Sequence, residues 1–598
     1  MEAYVESEEH SPLPEDLFPF PQVRKGQDRF LLDARNAFSN GSVLLAQAPT
    51  GLGKTAVSLA AGLESSLEGG ALFYTTARQS QHVAVIETLR RIWRKRKMTV
   101  ADLIAREDMC LCRRNGRLAC TSPEGCYFRN DRAGKAAEEL ARFPLNVQEA
   151  TRLCLRLGTC PYQAMIELAR EADVVVCDYS QIFTFGTIMS ARQKEPKYLV
   201  VDEAHNLPAR LMEANSGSMN LTMLDRAKHS RSLGKFAEEI TILEALFRDI
   251  TDAGPRGRLD AWALDDPLRE RCGLDAGGLA EEICERVREG DLRAHRPLLE
   301  FLTAWSGLAP HSVRFIEQKP LRLITRLVDP SIVARPVLSD MDAVLLMSGT
   351  LHPPEMFADL LGIADRCACR SYPSPFPPEN RRVLALRGVS SRFQQRSEKM
   401  YKAIAQRIME GCELVPGNLA IFFPSYDFMN NVMFHLRDTP LPKKIISESR
   451  TLSKNEKDAM VADLHRQDSA LFAAVSGSFA EGVDFKENLL SAVIVVGLPL
   501  SPPSAEQEAT LDRMEAKFGR TKAMLYTQMY PALTKVRQAM GRAVRSERDR
   551  AAIVLLDDRY LLASVSAGFP EGDRPQACDD LAKELVDFFG PGTSQRAS

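Results

Sequence analysis

The chain has 598 residues, of which 77 are basic and 79 acidic, and 45% of it is apolar. One hydrophobic core rarely serves that length, so two domains with insertions are expected. A net charge of -2 excludes a uniformly basic surface and leaves any polynucleotide to be held by local patches. No stretch approaches the ~18 apolar residues of a membrane-spanning helix, and Met1 to Phe20 is acidic and proline-rich without a secretion signal, so a cytoplasmic chain is expected.

In chain order, short aliphatic and β-branched runs recur at Ser42–Ala46, Ala71–Thr75, Val174–Cys177, Tyr198–Val201 and Ala343–Met347. Strands covered on both faces read as continuous apolar runs, so these five predict a buried parallel sheet. A second set at Leu419–Phe423, Leu471–Val475, Ala492–Val496 and Ala551–Leu556 predicts a second α/β layer in tandem. Two stretches interrupt the first set: about Thr99 to Glu167, with no evident strand, and about Met212 to Arg335, which reads as helices. Both are expected to be insertions.

Directly after the first run comes Ala48-Pro49-Thr50-Gly51-Leu52-Gly53-Lys54-Thr55. A glycine-rich turn from strand to helix followed by Lys-Thr is a phosphate-binding loop: backbone N–H groups cradle phosphate, Lys54 reaches the β and γ oxygens, and the Thr55 hydroxyl ligates magnesium. Ala48 stands where the usual first glycine belongs, and Pro49-Thr50-Gly51 tightens the turn instead. The strand at Tyr198–Val201 runs into Asp202-Glu203-Ala204-His205. A carboxylate at that end of a parallel strand can hold magnesium, and the next can orient an attacking water. In the second layer, Gln538 to Arg545 has helical spacing, which would put Arg542 and Arg545 on one face, suited to stabilise charge on a γ-phosphate.

Six of the 13 cysteines (Cys110, Cys112, Cys120, Cys126, Cys154 and Cys160) crowd into the first insertion, which in a cytosolic chain points to metal before disulfide. Four thiolates suit a 4Fe-4S cluster or zinc, and the absence of C-x₂-C pairs argues against an ordinary zinc ribbon. Leu89 to Lys97 packs six cations into nine residues, readable as a phosphate-tracking surface or as a solvated helix face.

These motifs, with Met347-Ser348-Gly349-Thr350-Leu351, Phe422-Phe423-Pro424-Ser425-Tyr426, the run from Gly477 to Phe485, and Gly497-Leu498-Pro499, fall in an order that resembles superfamily 2 helicases. Within them the chain resembles the XPD/DinG-like iron–sulfur helicases over nearly its whole length, and its length is similar to that of the archaeal XPD-like members. The resemblance implies two tandem RecA-like parallel-sheet motor domains, with an iron–sulfur domain and a helical arch inserted in the first. The implied boundaries are 1–98, 168–211 and 336–370 for the first motor domain, 99–167 for the iron–sulfur domain, 212–335 for the arch and 371–598 for the second motor domain.

The resemblance also places Arg24 and Gln27 as adenine-reading residues, and assigns Cys110, Cys120, Cys126 and Cys160 to the cluster, with Cys112 the alternative to Cys110. It implies an ATP- and magnesium-dependent DNA helicase, 5′ to 3′ in direction, acting on single-stranded and forked DNA as a monomer, with a role in DNA repair. Lys54, Thr55, Asp202 and Glu203 would act on the nucleotide with Gly482, Asp484, Gln538, Arg542 and Arg545. An R-loop or RNA-directed translocase and a nucleotide-regulated damage sensor are the alternatives.

Overall fold

A computed structural model describes residues 17–110, 113–114, 117–118, 132–184, 196–253, 258–287, 292–307, 311–437, 440–481, 483, 485, 489–544 and 546–590. It divides into two compact units: residues up to 46, 53–348 and 358–370 form one, and 47–52, 349–357 and 371 onward the other. Among the described residues no helix is long and apolar enough to cross a membrane.

The first unit is built on a seven-stranded sheet. Its order is Cys367–Ser371, Val43–Gln47, Ala343–Ser348, Lys197–Asp202, Ala71–Thr76, Val174–Asp178, Val100–Leu103. The pairings from Ala343–Ser348 through to Val100–Leu103 are parallel, so the strands deliver their carboxyl ends to one edge. Met347 lies opposite Asp202 and Thr76 opposite Asp178 along that edge. The five runs read from sequence occupy the five central places, each buried along its aliphatic length. Val100–Leu103 corrects the expectation that the first insertion begins without a strand. Only four residues long, with Asp102 at its centre, it does not read as a continuous apolar run.

The second insertion is also corrected, because it is α/β in content rather than a purely helical arch. Gly217–Met219, Leu321–Leu327, Ser312–Gln318 and Arg258–Leu259 form an antiparallel four-stranded sheet. Helices Ala237–Asp252, Trp262–Cys272, Ala276–Arg286 and Arg296–Gly307 supply Leu243, Phe247, Leu264, Ile283, Phe301 and Trp305 to one core with Leu323 of the sheet. Arg314, Glu317, Arg322 and Arg326 break up the apolar run along the hairpin, so a search for uninterrupted runs passes over it. Arg314 is itself buried, donating from Nε to the Trp305 carbonyl at 2.9 Å.

The second unit carries a seven-stranded sheet, parallel at every pairing. Its order is Lys444–Ser447, Ser469–Ala474, Leu419–Phe423, Ala492–Val496, Ala551–Leu556, Arg381–Leu386, Gln576–Cys578. Successive residues point to opposite faces. Phe422, Val493 and Ile553 therefore enter one core with Val536, while Ile421, Ile494 and Val554 enter the other with Ile408.

Candidate active site

The phosphate loop runs from strand Val43–Gln47 into helix Lys54–Ser66, with Gly51 at φ 85° and Gly53 at φ 80°. These left-handed conformations turn the chain so that the helix N-terminus, with its free N–H groups, opens on the loop. Gly53 has a second reason to lack a side chain, since a Cβ there would collide with the Gln27 amide nitrogen. Gln27 is buried at the start of helix Gln27–Ser39, and its Oε1 accepts from the Arg24 backbone N–H at 2.8 Å. Gln27 and the loop are thus brought together, while the Arg24 side chain is exposed.

Lys54 and Thr55 open the helix, and Asp202 and Glu203 end strand Lys197–Asp202. Asp202 is buried, and its Oδ1 accepts from the Glu203 backbone N–H at 2.9 Å. Tyr74 hydroxyl reaches Asp202 Oδ2 at 3.4 Å, and Tyr179 hydroxyl donates to the Asp202 carbonyl. Burial and the neighbouring Glu203 charge push the Asp202 carboxyl above its ordinary range, against the pull of Lys54. Such a group is short of positive charge.

Glu203 is the single non-glycine residue at positive φ among the described residues, at φ 50°. That conformation costs on the order of 1 kcal/mol or more and persists only where its surroundings impose it. Ser348 Oγ donates to Glu203 Oε2 at 2.9 Å, and His205 Nδ1 lies 2.7 Å from the same Ser348 oxygen. Because Ser348 spends its proton on the carboxylate, it accepts from His205, which assigns the hydrogen to Nδ1. Burial pushes Glu203 up, but the His205 bond, the Lys54 charge and the Ser348 hydroxyl outweigh it and hold the carboxyl below its usual range. Two adjacent carboxylates are driven in opposite directions: burial and the Glu203 charge push Asp202 up, while His205, Lys54 and Ser348 keep Glu203 ionised.

In the second unit, helix Tyr530–Met540 stops at Gly541, so the expected continuous helix through Arg545 is corrected. Arg542 lies beyond the helix, donating from Nε to the Ala480 carbonyl and from Nη1 to the Val483 carbonyl, each at 2.7 Å. Gln538 is half-buried on the helix. Arg545, Gly482 and Asp484 lie outside the described residues. Arg537, absent from the sequence expectations, is buried and donates to the carbonyls of Gly349, Thr350 and His352 at 3.2, 3.2 and 3.4 Å.

In the first insertion Cys110 follows helix Arg106–Met109, and Cys160 caps helix Pro161–Glu171. The Arg106 guanidinium lies 5.8 Å from the Tyr162 ring centroid, which brings these two helix ends together. Cys154 is buried, its thiol pushed up to about 11 by burial and by the charge of Cys160. Cys112, Cys120 and Cys126 lie outside the described residues, and among the described residues no group of three or more metal-ligating side chains occurs. Within the basic run, Arg90 is committed internally: Nε donates to the Pro144 carbonyl at 2.9 Å, and Glu149 pairs with Nη2. Lys95 Nζ donates to the Phe18 carbonyl at 2.8 Å, while Arg94, Arg96 and Lys97 are exposed.

Residues 74–224 match the DEAD_2 family model, and residues 408–576 match that of the helicase C-terminal domain. The ATP-dependent DNA helicase XPD of Sulfolobus acidocaldarius is 26% identical over 562 residues, which cover 90% of this chain and 96% of the relative. Both family matches and this relative make the chain similar to XPD-like helicases over most of its length. The ATP-dependent DNA helicase chl1 of Neosartorya fischeri is 25% identical over 75% of this chain, which spans 63% of that relative's length. A solved XPD helicase superposes with a TM-score of 0.68 at 21% identity, covering 94% of this chain and all of the other. The Xpd4 structure of S. tokodaii gives 0.57 at 17%, covering 93% of this chain and all of the other. The XPD-like fold of two RecA-like parallel-sheet domains is thereby shown.

In this XPD-like chain the oxygen donors of Thr55 and Asp202 suit a hard divalent cation. The burial of the Asp202 carboxylate at the end of its strand, directly before Glu203, fits one. His205, Ser348, Tyr74, Tyr179 and Arg537 were not singled out from sequence. His205 and Ser348 stand inside quoted motifs, a signal that could have found them.

Proposed function

We propose that this chain is an ATP-dependent DNA helicase that translocates 5′ to 3′ along single-stranded DNA and opens forked DNA, with a role in DNA repair. The Glu203 arrangement carries the proposal: an ionised carboxylate in a strained backbone conformation, hydrogen-bonded by Ser348 and beside a buried Asp202. A nucleotide-dependent binding protein has no need of an ionised carboxylate fixed to orient a water; a hydrolase does. Lys54 carries positive charge to the γ-phosphate, and Glu203 accepts a hydrogen bond from the attacking water and orients it. Thr55 and Asp202 would hold magnesium, which when bound supplies charge that offsets the phosphates. Gly51 and Gly53 shape the cradle, Arg24 and Gln27 read the adenine, and Gln538, Arg542, Arg545, Gly482 and Asp484 act on the nucleotide as part of the same proposal.

Cys110, Cys120, Cys126 and Cys160 would hold a 4Fe-4S cluster whose role is to staple a small domain rather than to carry electrons. The domain divisions and boundaries given from sequence, with the second insertion as a mixed arch, form part of this reading, as do a monomeric state and a cytoplasmic location. Support for DNA comes from the names of the relatives, both called DNA helicases. The test is ATP hydrolysis measured in parallel with single-stranded DNA and single-stranded RNA. Stimulation by DNA is expected; stimulation by RNA alone overturns the assignment.

A further inference from the structure

Resting on the DNA reading above, we infer that Phe393 is a stacking platform for an unpaired base of the translocated strand. Phe393 is the most exposed large apolar side chain among the described residues, at 82%. A lone exposed phenyl ring is unremarkable on a mobile tip, but this one ends an ordered stack within the second unit. Tyr401 packs edge-on against the buried Phe428, with ring centroids 5.1 Å apart. The Arg396 guanidinium lies 5.3 Å from the Phe428 centroid and 5.3 Å from that of Phe393. The sequence is therefore ring, ring, cation, ring, closed at the inner end and open to solvent at the outer one.

The segment carrying the outer ring is pinned. Ser391, two residues before it, donates from its backbone N–H and its hydroxyl to Asp557 Oδ2 at 2.9 and 2.7 Å. Arg559 ties Ser391 Oγ to the same carboxylate, with Nη2 2.8 Å from the one and 2.7 Å from Asp557 Oδ2. Phe393–Gln395 is a turn of 3₁₀-helix, closed by the Arg396 N–H on the Phe393 carbonyl at 3.2 Å. Ordering the ring in advance removes an entropic cost from whatever stacks on it.

Charge selects the occupant. From Arg387 to Lys402 the chain carries five cations, all exposed, and one carboxylate, Glu398. A polyanion with flat apolar rings, which is single-stranded nucleic acid, complements an aromatic end flanked by guanidinium groups. An aromatic or proline side chain of a partner protein would use the ring and leave the cations unmatched.

The test is equilibrium binding of a fluorescent oligo-dT and of the same oligomer with abasic positions, to the full chain and to Phe393→Ala and Phe393→Trp. Base stacking contributes on the order of 5- to 100-fold per base, so F393A is expected to weaken oligo-dT binding within that range. Abasic binding should stay unchanged, F393W should restore affinity, and its fluorescence should be quenched by oligo-dT. Melting curves check that the exposed substitutions leave folding intact. Equal affinity of F393A and the native chain for oligo-dT overturns the inference while leaving the helicase reading standing, and points the ring towards a protein partner. A native chain that binds neither oligomer overturns both.

Discussion

Raising the pH from 6 to 9.5 should loosen the first unit through one buried histidine. His82, on helix Gln79–Trp93, is buried with its Nδ1 2.6 Å from Asp102 Oδ1 and its Nε2 3.6 Å from Asp178 Oδ1. Burial opposes its charge, but the hydrogen bond to Asp102 and the pairing with Asp178 prevail and raise its pKa from 6.5 to about 9. Below 6.5 folded and unfolded chains both hold the proton, and the stabilisation is complete; between 6.5 and about 9 only the folded chain holds it. Through that window stability falls by ~1.4 kcal/mol per pH unit, a total of about 3 kcal/mol, and above it the contribution is gone.

The loss is local in meaning, because the other oxygen of Asp102 accepts from the Val147 backbone N–H at 3.0 Å, at the start of helix Val147–Leu157 in the first insertion. Urea unfolding of the native chain and of His82→Gln, at intervals across pH 6 to 9.5, measures it. The glutamine keeps a donor near Asp102 but not the charge, so every other titration cancels in the difference. The native chain should lose about 3 kcal/mol relative to the variant across the window; parallel curves refute the reasoning.

Ser348→Ala removes the hydroxyl that donates to Glu203. Hydrogen bonds to a charged group are worth roughly 1.5–3 kcal/mol, so kcat for ATP hydrolysis should fall on the order of 10- to 100-fold with little change in nucleotide affinity, read by steady-state kinetics and fluorescent-nucleotide titration. Cys160→Ser should abolish the brown visible absorption and unwinding while sparing part of the basal ATP hydrolysis, checked by spectrum and assay on anaerobically purified protein. Arg537 lies buried on three backbone carbonyls, and burial with the nearby Arg381 charge lowers it to about 9. Replacing it with Met leaves those carbonyls short of a donor, and should lower the stability of the second unit by about 1–3 kcal/mol in urea unfolding.

What the sequence made legible was the middle of each sheet. Val43–Gln47, Ala343–Ser348, Lys197–Asp202, Ala71–Thr76 and Val174–Asp178 are neighbours at the centre of one, and their aliphatic runs announce burial on two faces. The strands it missed lie towards the margins: Val100–Leu103 and Cys367–Ser371 in the first sheet, and Lys444–Ser447, Arg381–Leu386 and Gln576–Cys578 in the second. Val100–Leu103 is short and centred on a buried Asp102, Arg381–Leu386 opens on two arginines, and the other three are short with exposed positions, so none reads as a continuous apolar run.

The same limit applied to the site. The Gly-x-Gly-Lys-Thr spacing is local and readable, as is Asp202-Glu203. The Ser348 link to Glu203 joins positions 145 residues apart, and no local pattern carries it. The helix expected to carry Arg542 ends at Met540 with Gly541 as its cap, despite favourable spacing on either side.

In the proposed function, ATP hydrolysis at Glu203 drives strand separation. Unwinding of forked DNA with either a 5′ or a 3′ single-stranded tail, by the native chain and by Glu203→Gln, tests it most directly. Opening of the 5′-tailed fork by the native chain alone, with ATP still bound by the variant, is the expected result. Equal unwinding by Glu203→Gln would contradict it.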